Sequence, residues 1–232
     1  MGWVYVNEDI DYWVRLPKSS WEEAPWDEQQ WADSKAFYLR LSRDLPDDQE
    51  ATGRLARLLM TYRQDSDKEP TDNYLYFEDL EGYPLMAQVS YGQSRGDRDA
   101  TLREWNSADG FDHPPEITPF STEGFGEGIR LRGYAESEQG NMAMHLWYNL
   151  RNEEHGLDLQ VIVASNELGR LAVAEPEIDA FVQGVQALAD DFEFEEPDLE
   201  NLPEPEPEPR FSLSGLLRGR KRKQDGGPAS RT

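Results

Sequence analysis

Residues 128–164 read GIRLRGYAESEQGNMAMHLWYNLRNEEHGLDLQVIVA. Three stretches within it, 128–135, 142–150 and 157–164, have strand length and alternate or run apolar, with Ile, Leu, Val, Tyr and Trp prominent. They are joined by ESEQGN and RNEEHG, six residues each. A parallel crossover needs about a dozen residues, so this spacing predicts an antiparallel meander. Outward from it, NYLYF (73–77) and the alternating 85–91 flank the turn-forming EGYP and predict a further hairpin. WVYV (3–6) and YWVRL (12–16), the latter stopped by Pro17, read as two more strands.

Helical periodicity occupies the rest. Residues 27–44 place Trp31, Lys35, Tyr38, Leu39 and Leu41 at mostly helical spacing before Pro46. In 48–63, Leu55, Leu58, Leu59 and Tyr62 predict a buried stripe with arginines beside it. A short helix at 100–105 leads into a loop with Pro114, Pro115 and Pro119. Residues 177–189 put Ile178, Phe181, Val182, Val185 and Leu188 on one helical face, with Pro176 suited to a first turn. The expected fold class is α+β, an antiparallel sheet covered by helices in an α/β/α sandwich, followed by a disordered C-terminal tail.

Charge divides the chain of 232 residues. It carries 47 acidic and 23 basic side chains, formal charge −24; residues 190–232 hold 11 acids and 7 bases, net −4, which leaves −20 on residues 1–189. Three segments follow: an acidic sandwich domain at 1–189, an acidic Pro/Glu-rich linker at 190–209 and a basic-hydrophobic tail at 210–232. PEPEPEP (203–209) favours an extended polyproline conformation, which holds the tail away from the body. The absence of cysteine removes disulfides, thiolate nucleophiles and zinc-thiolate sites. With no secretory signal pattern and no apolar run of membrane-spanning length, a cytoplasmic protein is expected.

YWVRLPKSSW (12–21) and LDLQVIVASNELGRLAVAEPEIDAFVQGV (157–185) resemble the PsbP-like α/β/α sandwich superfamily, which includes actinobacterial lipoproteins of the LpqN type. The resemblance implies that the second stretch is a final strand, a short helix and a closing helix. It also implies a bacterial binding or assembly factor, and it transfers no catalytic residue.

Chemical motifs are sparse. Of the three histidines, His113 precedes Pro114, His145 lies in a predicted strand on the face shared with Ala143 and Trp147, and His155 precedes Gly156. They lack metal-ligand spacing, so no metal and no cofactor is expected. GFGEG (124–128) is preceded by a Pro-rich loop and followed by a strand, the wrong context for a dinucleotide site, and reads as a flexible loop. DSDKE (65–69) starts like a calcium loop but has Pro70 where glycine is required and Tyr76 where a bidentate Glu is required. With so many acids, carboxylate pairs arise by chance, and no catalytic residue is assigned. Trp3, Trp13, Trp21, Trp26 and Trp31 crowd the first 31 residues; packing is expected for most of them, and exposure for Trp21 and Trp26 as possible anchors.

The tail segment RFSLSGLLRGRKRK combines Phe211, Leu213, Leu216 and Leu217 with Arg210, Arg218, Arg220, Lys221, Arg222 and Lys223. A disordered chain has no folding reason to keep such apolar residues, so a docking motif for a protein partner, or for the protein's own body, is expected. Peripheral contact with anionic membrane is the alternative, although the helical amphipathicity is poor. The acidic body argues against nucleic acid. Ser212 and Ser214 stand where phosphorylation would reverse the local charge. The expected function is a non-catalytic protein-binding or accessory factor. The alternatives are an acidic immunity- or decoy-type protein that neutralises a basic partner, and an enzyme with a pocket around loop 107–128 and His113.

Overall fold

Alternation along the strands sorts apolar side chains to two faces of one sheet, and helices cover both. The structure, a computed structural model, describes residues 3–18, 27–68, 70–105, 110–136, 140–189 and 192. The chain falls into two units, Met1–Phe192 and Glu193–Thr232, and all described residues belong to the first. Trp21, Trp26 and every tail residue from Arg210 to Lys223, with Ser212 and Ser214, lie outside the described residues.

The described elements are β1 (Trp3–Val6), β2 (Trp13–Arg15), α1 (Glu28–Ser42), α2 (Gln49–Ser66), β3 (Asp72–Tyr76), β4 (Leu85–Gln93), α3 (Arg98–Trp105), β5 (Glu116–Thr122), β6 (Gly126–Glu136), β7 (Met142–Asn152), β8 (Leu157–Ser165), α4 (Leu168–Gln183) and β9 (Val185–Leu188). Seven strands form a sheet in the order β2-β3-β4-β8-β7-β6-β5, every neighbour antiparallel, and β1 pairs with β9 in a separate two-stranded ribbon. The fold is α+β, and the meander β6-β7-β8 is the one its short connections demand.

On one face Tyr74, Tyr76, Val89, Leu146, Tyr148, Leu159, Val161 and Val163 meet Leu171, Ile178, Phe181 and Val182 of α4, with Val6 and Val185 of the ribbon completing the cluster. Burying each such aliphatic side chain contributes about 1.5–3 kcal/mol. Phe181 stacks on Trp13 at 4.1 Å and meets Tyr74 edge-on at 5.1 Å. Ion pairs latch the same helix: Arg130 of β6 reaches Glu175 (3.1 Å) and Asp179 (2.9 Å), and the Tyr148 hydroxyl donates to Asp179 at 2.6 Å. Burial and the neighbouring Asp179 carboxylate push the Tyr148 phenol far above its ordinary range.

On the other face α1 and α2 cover Val14, Leu16, Leu75 and Phe77. Both helices start on aspartates. Asp27 accepts from the Gln30 amide at 2.7 Å, and Asp48 accepts from the amides of Glu50 and Ala51. The amide bonds, that of Ala51 foremost, hold the Asp48 carboxyl below its usual range. Further along this face Asp158 of β8 pairs with Arg151 of β7 at 2.6 Å, both buried. Arg151 also donates to the carbonyls of Arg95 and Gly96, and the Ser94 hydroxyl donates to Asp158, which pins the segment leading into α3.

Three expectations need correction. The predicted helix 177–189 is instead α4, ending at Gln183, followed by β9. The chain turns at Gly184 because β9 finds a partner in β1, which periodicity in 177–189 cannot reveal. Pro176 lies inside α4 at an exposed position rather than in its first turn, and the stretch after β8 is one 16-residue helix and a strand, not a short helix and a closing helix. The Pro-rich segment holds a strand, β5: Pro119 is tolerated because β5 is the sheet edge, where its lack of N–H faces no neighbouring strand. The Gln183 side-chain amide donates to the nearby Ser121 carbonyl at 2.9 Å, so this edge is guarded twice over.

Candidate functional site: the outer face of the helical hairpin

α1 is apolar on two opposite sides. Ala32, Ala36 and Leu39 face the core. Phe37, Tyr38 and Leu41 stand on the other side and are 51, 61 and 56% exposed. At about 100° per residue these three span an arc of about 100° centred opposite the buried stripe. The helix expected from the spacing in 27–44 is present as α1, and it places Tyr38 and Leu41 on the side away from Leu39. The reason is the spacing between helices: small alanines let α1 approach α2 closely, and bulkier side chains at the same positions would hold the two apart. Arg63 of α2 is itself buried and pairs with Glu28 of α1, so the interhelical seam is fastened by charge as well as by alanine contact. In α2 the stripe is shifted as well: Leu55 and Leu59 are buried, whereas Leu58 and Tyr62 are half-buried at its margin.

The stripe continues past the helix end through a Schellman closure. The Asp44 amide donates to the Leu41 carbonyl and the Leu45 amide to the Arg40 carbonyl, both at 3.0 Å, with Asp44 in the left-handed region at φ 52°. This turn places Leu45, 41% exposed, after Leu41, and Pro46 prevents the helix from resuming.

Beside the stripe lies an open pocket of about 350 Å³, floored by Ala51, Leu55, Leu58 and Leu80 and rimmed by Arg40, Arg54, Glu81 and Tyr83. Arg40 stands on the flank of α1 between its two stripes, so pocket and stripe share a border. The basic side chains here are engaged locally. Arg40 donates to the Pro46 carbonyl at 2.8 Å, Arg54 pairs with Glu50 at 2.8 Å, and Arg43 donates to the carbonyls of Asp11, Phe77 and Glu78 while lying over the Tyr12 ring. Asp33, Asp44, Asp47, Asp48 and Glu81 are exposed around them.

The other sequence candidates fall elsewhere. GFGEG is not a flexible loop. It forms the tight turn of the β5-β6 hairpin, with Phe125 fully buried and Gly126 at φ 119°. Gly124 lies so close to β9 that an added Cβ would stand 2.8 Å from the Val185 carbonyl oxygen, and its own carbonyl accepts from the Ala187 amide. His113 is exposed, and within 107–128, the span of the alternative enzyme pocket, β5 takes up 116–122 and β6 begins at 126. His145 does share its face with Trp147. Phe111 packs edge-on against it at 5.8 Å and contacts Trp147 at 5.1 Å, and burial pushes the His145 imidazole below its ordinary value. Asp65 and Ser66 belong to the last turn of α2, so no calcium loop starts there. Among the described residues no group of three His, Asp or Glu side chains could hold a metal ion, and no helix is long and apolar enough to cross a membrane. Trp13 is buried, and Trp3 and Trp31 are half-buried.

Compared with protein families, curated proteins and solved structures, the chain matches none of them. The signal for the hairpin face was present in the sequence as two apolar stripes in 32–41, Ala32, Ala36 and Leu39 on one side and Phe37, Tyr38 and Leu41 on the other.

Proposed function

We propose that the protein is a non-catalytic binding or accessory factor that docks another protein on the outer face of α1. The observation that carries this reading is the outward apolar stripe of α1: Phe37, Tyr38 and Leu41 face solvent while Ala32, Ala36 and Leu39 face the core. Removing such side chains from water is the main driving force of protein association, and clustered exposed apolar groups mark interaction surfaces. The adjoining pocket offers a seat for one anchoring side chain. In this reading the basic-hydrophobic segment from Arg210 to Lys223 is a second docking arm on an acidic spacer, a bacterial PsbP-like ancestry supplies the sandwich, and the cytoplasm is the site of action.

The test is affinity capture from native lysate with the full-length protein and with a Phe37→Ser, Tyr38→Ser, Leu41→Ser variant. A partner retained by the first and lost by the second is expected. Identical sets of captured proteins would sink the reading. The surplus of −20 on residues 1–189 favours, as a second reading, an immunity- or decoy-type protein that neutralises a basic partner. In that case capture would persist in the triple variant and collapse with salt.

A further inference from the structure

Resting on that reading, we infer that the outer face of α1 receives a basic amphipathic helix of a partner protein, its apolar side on Phe37, Leu41 and Leu45 and its lysines or arginines toward the acidic rim.

The geometry specifies a helix. Phe37 and Leu41 stand one turn apart on α1, on the ridge with which one helix packs into the groove of another; Tyr38 widens it by one position, and Leu45 follows beyond the turn that ends the helix. Layering supports the same occupant: α1 already packs α2 on its inner side through Ala32 and Ala36, and a third helix on its outer side would extend the two-helix layer. Of the other exposed large apolar residues among those described, Tyr83 rims the adjoining pocket, Ile10 and Tyr12 share the connection between β1 and β2, and Tyr91, Ile117, Met142, Val173 and Phe192 stand singly on different segments. Isolated residues of that kind are ordinary on protein surfaces.

Charge specifies the sign. Asp33, Asp44 and Asp47 are exposed around the stripe, while Arg40 and Arg43 direct their guanidinium groups to backbone carbonyls and Arg54 is paired with Glu50. Among the described residues bordering the face, carboxylates outnumber cations, Asp33, Asp44, Asp47, Asp48 and Glu81 against Lys35, Arg40 and Arg43, with Arg54 offset by Glu50, and the surplus is complementary to a basic segment. A second copy would bring another body of charge −20 against the first, and an anionic bilayer would meet the same repulsion.

The test uses the full-length protein and three fluorescent helical peptides of about 18 residues, long enough to hold a helix. They share one leucine face and carry lysine, glutamine or glutamate on the other. Anisotropy should show the leucine-lysine peptide bound at least about tenfold more tightly than the leucine-glutamine peptide. The Phe37→Asp, Leu41→Asp variant should weaken it at least about tenfold although it adds two negative charges. Diffuse attraction to an acidic protein predicts tighter binding to that variant, and such a result overturns the proposal. A second variant, Asp33→Lys with Asp47→Lys, leaves the stripe intact and should weaken the lysine peptide toward the glutamine one.

If lysine and glutamine peptides bind alike through the stripe, the partner class is wrong while protein docking stands. No binding by any peptide also overturns the partner class, and the lysate capture then judges docking separately. A dimer in sedimentation, or binding to phosphatidylcholine vesicles, that disappears in the Phe37→Asp, Leu41→Asp variant would assign the face to a second copy or to a lipid surface and overturn the inference.

Discussion

α4 and α1 lie on opposite faces of the same sheet and solve the burial problem in opposite ways. α4 turns its large residues inward, Leu171, Ile178, Phe181 and Val182, and latches itself with the Arg130, Glu175 and Asp179 ion pairs. α1 turns Ala32, Ala36 and Leu39 inward and leaves Phe37, Tyr38 and Leu41 largely in water. The pairing of size with orientation separates a helix that stabilises the sandwich from one whose outer surface is free for another task. A large side chain held in solvent brings no gain from burial, so its contribution must come from an encounter that buries it.

The contrast is broken or sharpened by substitution. The largest effect is expected at Phe181. Phe181→Ala removes the ring between Trp13 and Tyr74 and should cost about 4 kcal/mol in chemical denaturation. A cost near that of a surface change would mean that α4 is not the structural partner of the sheet. Next, Asp158→Asn strands the buried Arg151 charge and should cost about 3 kcal/mol, read as a lower melting temperature.

A pH-dependent effect comes from His145, whose imidazole is held by burial below its ordinary value of 6.5. The folded state then binds fewer protons than the unfolded chain in the window below about pH 6.5. Its stabilising contribution is full above that pH and is lost as pH falls toward the folded value. His145→Gln should flatten this acid limb, and equal melting curves of both proteins from pH 7 down to 5 would refute it.

On the hairpin side the effects shrink and one changes sign. Asp44→Gly relieves a left-handed backbone position at φ 52° and should raise stability by about 1 kcal/mol. Phe37→Ser with Leu41→Ser should leave stability within about 0.5 kcal/mol, the ordinary range for surface sites, while abolishing partner capture. A large loss of stability in that double variant would erase the distinction between the two helices.

Much of the architecture was legible before any coordinates. Strand alternation located β3, β4, β6, β7 and β8, and six-residue connections made the meander antiparallel, because neither signal depends on anything outside the segment. β5 was concealed by Pro114, Pro115 and Pro119, since a proline is compatible with a strand at an edge and nothing local marks an edge. β9 was concealed because VQAL fits the end of a helix as well as a strand, and the deciding partner, β1, is at the opposite end of the domain.

What the chain determined by itself was local or additive: where helices and strands lie, that the class is α+β, and that residues 1–189 carry a charge of −20. What only the tertiary structure decided was orientation. Periodicity in 28–42 shows that α1 has apolar faces. Which one turns inward depends on how closely α2 and the sheet approach it, and at that distance alanine fits and phenylalanine does not. The candidate surface follows from that choice, made by packing volume between segments far apart in the chain.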